Sequence, residues 1–239
     1  MTGTIRENLR ALAGAQKGAA RSAPAYSRFV NRQIGRAFAA VALRLGLAPN
    51  QVTALSALAT FAGIALVALV PPSVGVAIAV AVLLVVGYAL DSADGQVARV
   101  TRTGSAAGEW LDHMVDATKI STMPLAVAIG IYRFTDLPRV WLLVPLANAV
   151  IGAVLFFGMI LTEQMRRQHG VASTAAPGAA GSLRSLLVLP TDYGVLCLAF
   201  LLWGSPPVFV VVYAVITAAT GGFLALAARK WFGEIEDLA

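Results

Sequence analysis

The 46 residues between Arg44 and Asp91 contain no charged side chain. A helix needs about 20 residues to cross the hydrocarbon of a bilayer, so this run has the length of two crossings and a turn. Pro71-Pro72 supplies the turn, because proline breaks a helix interior. Residues 140–162 and 208–228 are uncharged too, and 185–204 is interrupted only by Asp192. The stretch 105–132 differs: its first half carries Glu109, Asp112, Asp116 and Lys119, its second half is apolar. It reads as a crossing whose polar half faces an internal cavity, since ionisable residues inside a membrane rarely face lipid. Composition excludes the alternatives. Hydrophobic residues make up 58% of the chain and charged ones 13%, about half the share that a soluble surface carries. Disordered chains are poor in these apolar residues. One cysteine and two histidines exclude a disulfide scaffold and a Cys/His zinc site.

The expected fold is an all-α integral membrane protein with six transmembrane helices plus an N-terminal amphipathic interfacial helix. The spans fall near 50–70, 73–98, 105–132, 138–162, 185–204 and 207–229 in one domain, 48–232, followed by a tail, 233–239. Residues 1–25 read as a flexible basic segment without the apolar core of a signal peptide. In 26–47, Val30, Ile34, Phe38, Val41 and Leu45 recur at helical spacing, with Arg28, Arg32 and Arg36 on another face. That pattern suits the headgroup layer or a helix packed on the bundle. Asn50 is the expected cap of the first span, and Trp110, Trp141, Trp203 and Trp231 fit interfacial anchors.

Six spans with both ends on one side place 15 Lys and Arg residues there and only Arg133 and Arg139 opposite. The asymmetry assigns both termini to the cytoplasm and the protein to the cell membrane. The net charge of +6 is thus a topology signal, and no nucleic-acid partner is expected.

Five of the twelve acidic residues lie between Asp91 and Asp116. Asp91 and Asp94 are three apart near the end of the second span; Asp112 and Asp116 are four apart near the start of the third. Each pair shares a helix face, and a short connection makes the two helices antiparallel neighbours. Four such carboxylates repel one another unless a cation joins them, and hard oxygen ligands select Mg²⁺, Mn²⁺ or Ca²⁺. Solvated carboxylates at a membrane boundary and a cation-coupled transport path are the competing readings. Transport, however, calls for polar residues through several spans, and the acidic cluster is on one side only.

The full string reads Asp91-Ser-Ala-Asp94-Gly95-Gln-Val-Ala98-Arg99, then eight residues, then Gly108-Glu-Trp-Leu-Asp112-His-Met-Val-Asp116. It resembles the signature of the CDP-alcohol phosphotransferase family, D-x2-D-G-x2-A-R-x8-G-x3-D-x3-D, at every defined position. The Pro49-Asn-Gln-Val-Thr53 start of the first span also looks like that family. The resemblance implies an enzyme that moves a substituted phosphate from a CDP-linked alcohol to a second alcohol, releasing CMP. It implies Asp91, Asp94, Asp112 and Asp116 as ligands of two divalent cations, Mg²⁺ or Mn²⁺, with Asp116 also the base and Asp112 beside it in catalysis. Gly95, Ala98, Arg99, Gly108 and Thr53 would bind the CDP moiety, and a homodimer is implied.

Beyond the motif, Lys119, Arg166, Arg167 and Arg184 are candidates for the acceptor pocket. For Lys119 an ion pair with a carboxylate is the alternative, and for the three arginines headgroup anchoring. Glu109 and His113 flank the ligands, and Asp192 has Tyr193, Thr191 or a substrate hydroxyl within its reach. CDP-diacylglycerol is the first choice of donor, in phospholipid biosynthesis. The local Gly-Glu-Trp-Leu-Asp-His string also looks like choline and ethanolamine phosphotransferases, in which a lipid is the acceptor.

Overall fold

A computed structural model describes residues 4–14, 25–171 and 192–238. The described residues are helical, with no strand: α1 (Ile5–Gly14), α2 (Arg32–Leu45), α3 (Pro49–Leu69), α4 (Val74–Thr101), α5 (Ala106–Phe134), α6 (Leu143–Gln168), α7 (Tyr193–Ala199) and α8 (Pro206–Glu236). Among them α3, α4, α5, α6 with its 3₁₀ lead-in, and α8 are long and apolar enough to cross a membrane. The protein is therefore a multi-pass membrane protein. The sixth expected span is represented by a shorter apolar helix, Tyr193–Gly204. Its first part, 185–191, and most of the 170–181 linker lie outside the described residues.

Local chemistry sets the helix ends. Pro49 opens α3, where its missing N–H costs nothing. The Gln51 side chain accepts from the Ala48 N–H at 2.9 Å, so the cap is here and not at Asn50. Ser73 and Ser105 cap α4 and α5 by accepting from Val76 and Gly108. α8 runs on to Glu236; Glu234 on its last turns pairs with Lys230 and with Arg166 of α6.

α1, where the sequence reading drew no element, packs Leu12 against α2 and donates the Asn8 amide to the Ala40 carbonyl at 3.2 Å. α2 turns its small residues inward: Gly35, Ala39, Ala40 and Ala42 are buried, while Val30, Val41 and Leu45 are exposed. Of the apolar stripe, Val41 and Leu45 face away from the bundle, Ile34 is half-buried and Phe38 packs on the cluster of α1, α2 and α4. The close approach explains the choice of small residues. A Cβ on Gly35 would sit 2.9 Å from Ser92 and 3.0 Å from the Ala89 carbonyl of α4. Gly35→Leu is expected to push α2 off α4 at the level of Asp91 and Asp94. Overpacking of this kind costs about 1–3 kcal/mol, readable as a lower melting temperature in detergent.

The far half of the bundle holds the aromatic core. Phe209 lies 5.0 Å from Trp203, 5.1 Å from Phe200 and 5.4 Å from Tyr213, ring centre to ring centre. Trp203 is fully buried, which corrects its reading as an interfacial anchor. Its ring lies where a side chain on Gly130 would be, 2.8 Å from the Cβ position. Below this core Tyr213 donates to Asn148 at 2.9 Å and Asn148 to Thr217 at 3.1 Å, tying α6 to α8.

Candidate active site

Asp91 comes from α4, Asp112 and Asp116 from α5, and the antiparallel packing brings the three together. One carboxylate oxygen from each lies within 4.8 Å of the other two. Asp94 does not join them. It is buried and turned toward α3, where the Thr53 hydroxyl donates to it at 2.6 Å. Two of the sequence candidates, Asp94 and Thr53, thus engage each other.

Lys119 sits inside the cluster. Its ammonium donates to Asp91 at 2.6 Å, to Asp116 at 3.2 Å and to Ser56 of α3 at 3.3 Å. The side chain is 6% exposed, against 21% for Asp91 and 29% for Asp116, so this is a largely dehydrated ion triad. Ser56 in turn donates to the Gly87 carbonyl at 2.9 Å. The ion-pair alternative therefore describes the contacts of Lys119 here.

The nucleotide candidates lie toward the α4–α5 connection. Arg99 is exposed, and its guanidinium is 3.3 Å from where a Cβ on Gly95 would stand. Gly108 faces Asn50, whose Oδ1 would be 3.1 Å from an added Cβ. Ala98 is half-buried on the same end of α4. α2 also reaches this end of the site: Arg32 is close enough for its charge to act on Arg99, and Gln96 donates to the Arg32 carbonyl at 3.4 Å. The i, i+4 recurrence of Arg28, Arg32 and Arg36 was visible, but not the element they would overhang.

A cavity of about 430 Å³ opens beside the carboxylates, lined by Asp91, Asp116 and Lys119 at one end. Arg166 and Arg167 are not on its wall. Arg166 pairs with Glu234 and Glu163, and Arg167 with Glu109 at 2.9 Å and Glu163 at 3.3 Å. Arg184 lies outside the described residues. Arg166→Ala is expected to free the end of α8, measured as faster hydrogen exchange across 229–236. Glu109 and His113 line a separate groove of about 620 Å³ between α5 and α6. Asp192 accepts from the Ser27 and Gly194 backbone N–H groups at 2.9 and 3.0 Å, capping α7 and tying it to the turn before α2.

A family model, CDP-alcohol phosphatidyltransferase, matches residues 46–227. The chain belongs to this family. The match spans α3 to α8, so it includes the carboxylates, the cavity wall and the aromatic core. A comparison with curated proteins found no match. CDP-alcohol phosphatidyltransferases are transferases of substituted phosphate groups in lipid synthesis and depend on divalent metal. The residues present fit such an ion. Three carboxylate oxygens form a hard, anionic donor set. In addition, Asp112 Oδ1 is buried without a hydrogen-bond partner among the described residues, a position that a cation would satisfy.

Proposed function

We propose that this CDP-alcohol phosphatidyltransferase moves a phosphatidyl group from CDP-diacylglycerol to an alcohol, releasing CMP on the cytoplasmic side of the cell membrane. The convergence of Asp91, Asp112 and Asp116, with Asp91 and Asp116 on the wall of a cavity, is the observation that carries the reading. Two divalent cations, Mg²⁺ or Mn²⁺, held by these residues with Asp94 next to them, would neutralise the diphosphate and the departing CMP.

The remaining work falls to the chain's own groups. The CDP moiety lies over Gly95, Ala98 and Gly108, where the side chains are small. Arg99 offers its planar fork to phosphate oxygens. The acceptor alcohol is a poor nucleophile until its proton is removed. Asp116 takes that proton: Lys119 engages its Oδ1, which leaves Oδ2 to face the acceptor. The acceptor oxygen forms a bond to the phosphorus that carries the donor's alcohol. The bond from that phosphorus to the CMP oxygen breaks, and CMP leaves with the bonding electrons. Lys119 keeps Asp91 and Asp116 from repelling each other apart. The basic asymmetry of the loops supports cytoplasmic termini, and the family resemblance supports a homodimer.

The test follows the phosphorus. With CDP-diacylglycerol labelled in the phosphate next to diacylglycerol, the label is expected in a new phosphodiester lipid and absent from CMP. Transfer only from a CDP-linked polar alcohol to a lipid would reverse donor and acceptor. No transfer from either kind of donor would overturn the proposal.

A further inference from the structure

The connection from α5 to α6 lies at the end of the bundle away from the carboxylates. From Asp112 to Arg133 α5 advances about 32 Å at ~1.5 Å per residue, roughly the depth of a bilayer's hydrocarbon. Here a second polar cavity, of about 390 Å³, has Tyr132, Arg133, Thr135, Leu137 and Arg139 on its wall. Arg133 and Arg139 are the two basic residues that the charge asymmetry sets apart from the fifteen on the other side. They meet at one cavity.

Neither is neutralised. Among the described residues, which include every acidic residue of the chain, no ion pair joins either arginine to a carboxylate. Asp136, between them in the sequence, is exposed and off the cavity wall. A guanidinium carries five N–H donors in one plane. Arg133 gives one to the Ala68 carbonyl in the last turn of α3, 3.1 Å away. The Arg139 guanidinium lies over the Tyr132 ring, 5.8 Å from its centre, and contact through the face leaves the edge donors free. An apolar path leads away from the cavity. Tyr132, Ile129 and Leu125 are exposed at spacings of three and four residues, so they share one face of α5.

We infer that this cavity binds the phosphate of an anionic phospholipid in the leaflet opposite the carboxylates, with an acyl chain along this face of α5. The inference is independent of the transferase reading. Inorganic phosphate would use the arginines but not the apolar face. A zwitterionic lipid would bring its own cation to two unpaired guanidiniums, with no carboxylate on the wall to receive it. An anionic lipid matches both the charge and the hydrocarbon.

The test needs no turnover. The full-length protein in phosphatidylcholine nanodiscs is photolabelled with a diazirine-tagged phosphatidylglycerol, and adducts are mapped by mass spectrometry. Adducts are expected within residues 125–142, displaced by unlabelled phosphatidylglycerol and not by added phosphatidylcholine or inorganic phosphate. Arg139→Gln leaves the Arg133 contact with α3 in place, so folding is not in question. It is expected to raise the half-displacing concentration about fivefold, the effect of one cation beside an anionic lipid, and Arg139→Lys to restore most of it. Arg133→Gln combined with Arg139→Gln is expected to remove these adducts while those at the carboxylate end persist. Equal labelling by a phosphatidylcholine probe, displacement by inorganic phosphate, or an Arg139→Gln protein that labels as wild type would overturn the inference.

Discussion

Asp116→Asn is expected to lower CMP formation by about 10²–10⁴-fold, the usual contribution of a positioned general base, while the protein inserts and folds normally. The amide keeps an oxygen for Lys119, whose ammonium lies 3.2 Å from Asp116 Oδ1, but it cannot take the acceptor's proton. Donor affinity should fall less than turnover, because the nucleotide candidates Arg99, Gly95 and Gly108 sit toward the other end of the motif. Asp112→Asn should differ in kind. Its buried Oδ1 has no hydrogen-bond partner among the described residues, so losing its charge should weaken Mn²⁺ binding, measurable by electron paramagnetic resonance without substrate. Wild-type turnover in Asp116→Asn would remove the base from this account.

Lys119→Met is expected to be the largest single loss of stability. The ammonium is 6% exposed and bridges two carboxylates from different helices. Removing one member of a buried ion cluster leaves uncompensated charge, and such changes cost about 3–5 kcal/mol. Excess Mn²⁺ should restore much of the loss, since binding to the folded state stabilises it by mass action. The melting temperature in detergent, with and without Mn²⁺, reads both effects. A metal-induced rise no larger than in the wild type would contradict the bridging role. A protein that melts normally and only binds substrate less well would return Lys119 to the acceptor pocket.

The membrane-length helices α3, α4, α6 and α8 were legible because charge-free runs and paired prolines are local signals. The site was legible in part. Spacing put Asp91 and Asp94 on one face, as it did Asp112 and Asp116, but spacing says nothing of a third helix. Thr53, 41 residues away in sequence, donates to Asp94 from α3. Ser56 and the two carboxylates likewise decide what Lys119 does.

Periodicity showed the apolar stripe of α2 but not the face that docks, which is made of Gly35, Ala39 and Ala42, whose small size allows close backbone approach. Trp203 stands near the end of an apolar run, where tryptophan usually marks an interface. Only the packing of Phe200, Phe209 and Gly130 around it identifies a core residue.

The most direct measurement is CMP release by the purified protein supplied with CDP-diacylglycerol and an alcohol acceptor. It would be run with Mg²⁺ or Mn²⁺ and again after chelation. The account predicts CMP that requires both the acceptor and the metal, and that disappears in Asp116→Asn. CMP release that persists after chelation, or that Asp116→Asn leaves untouched, would contradict it.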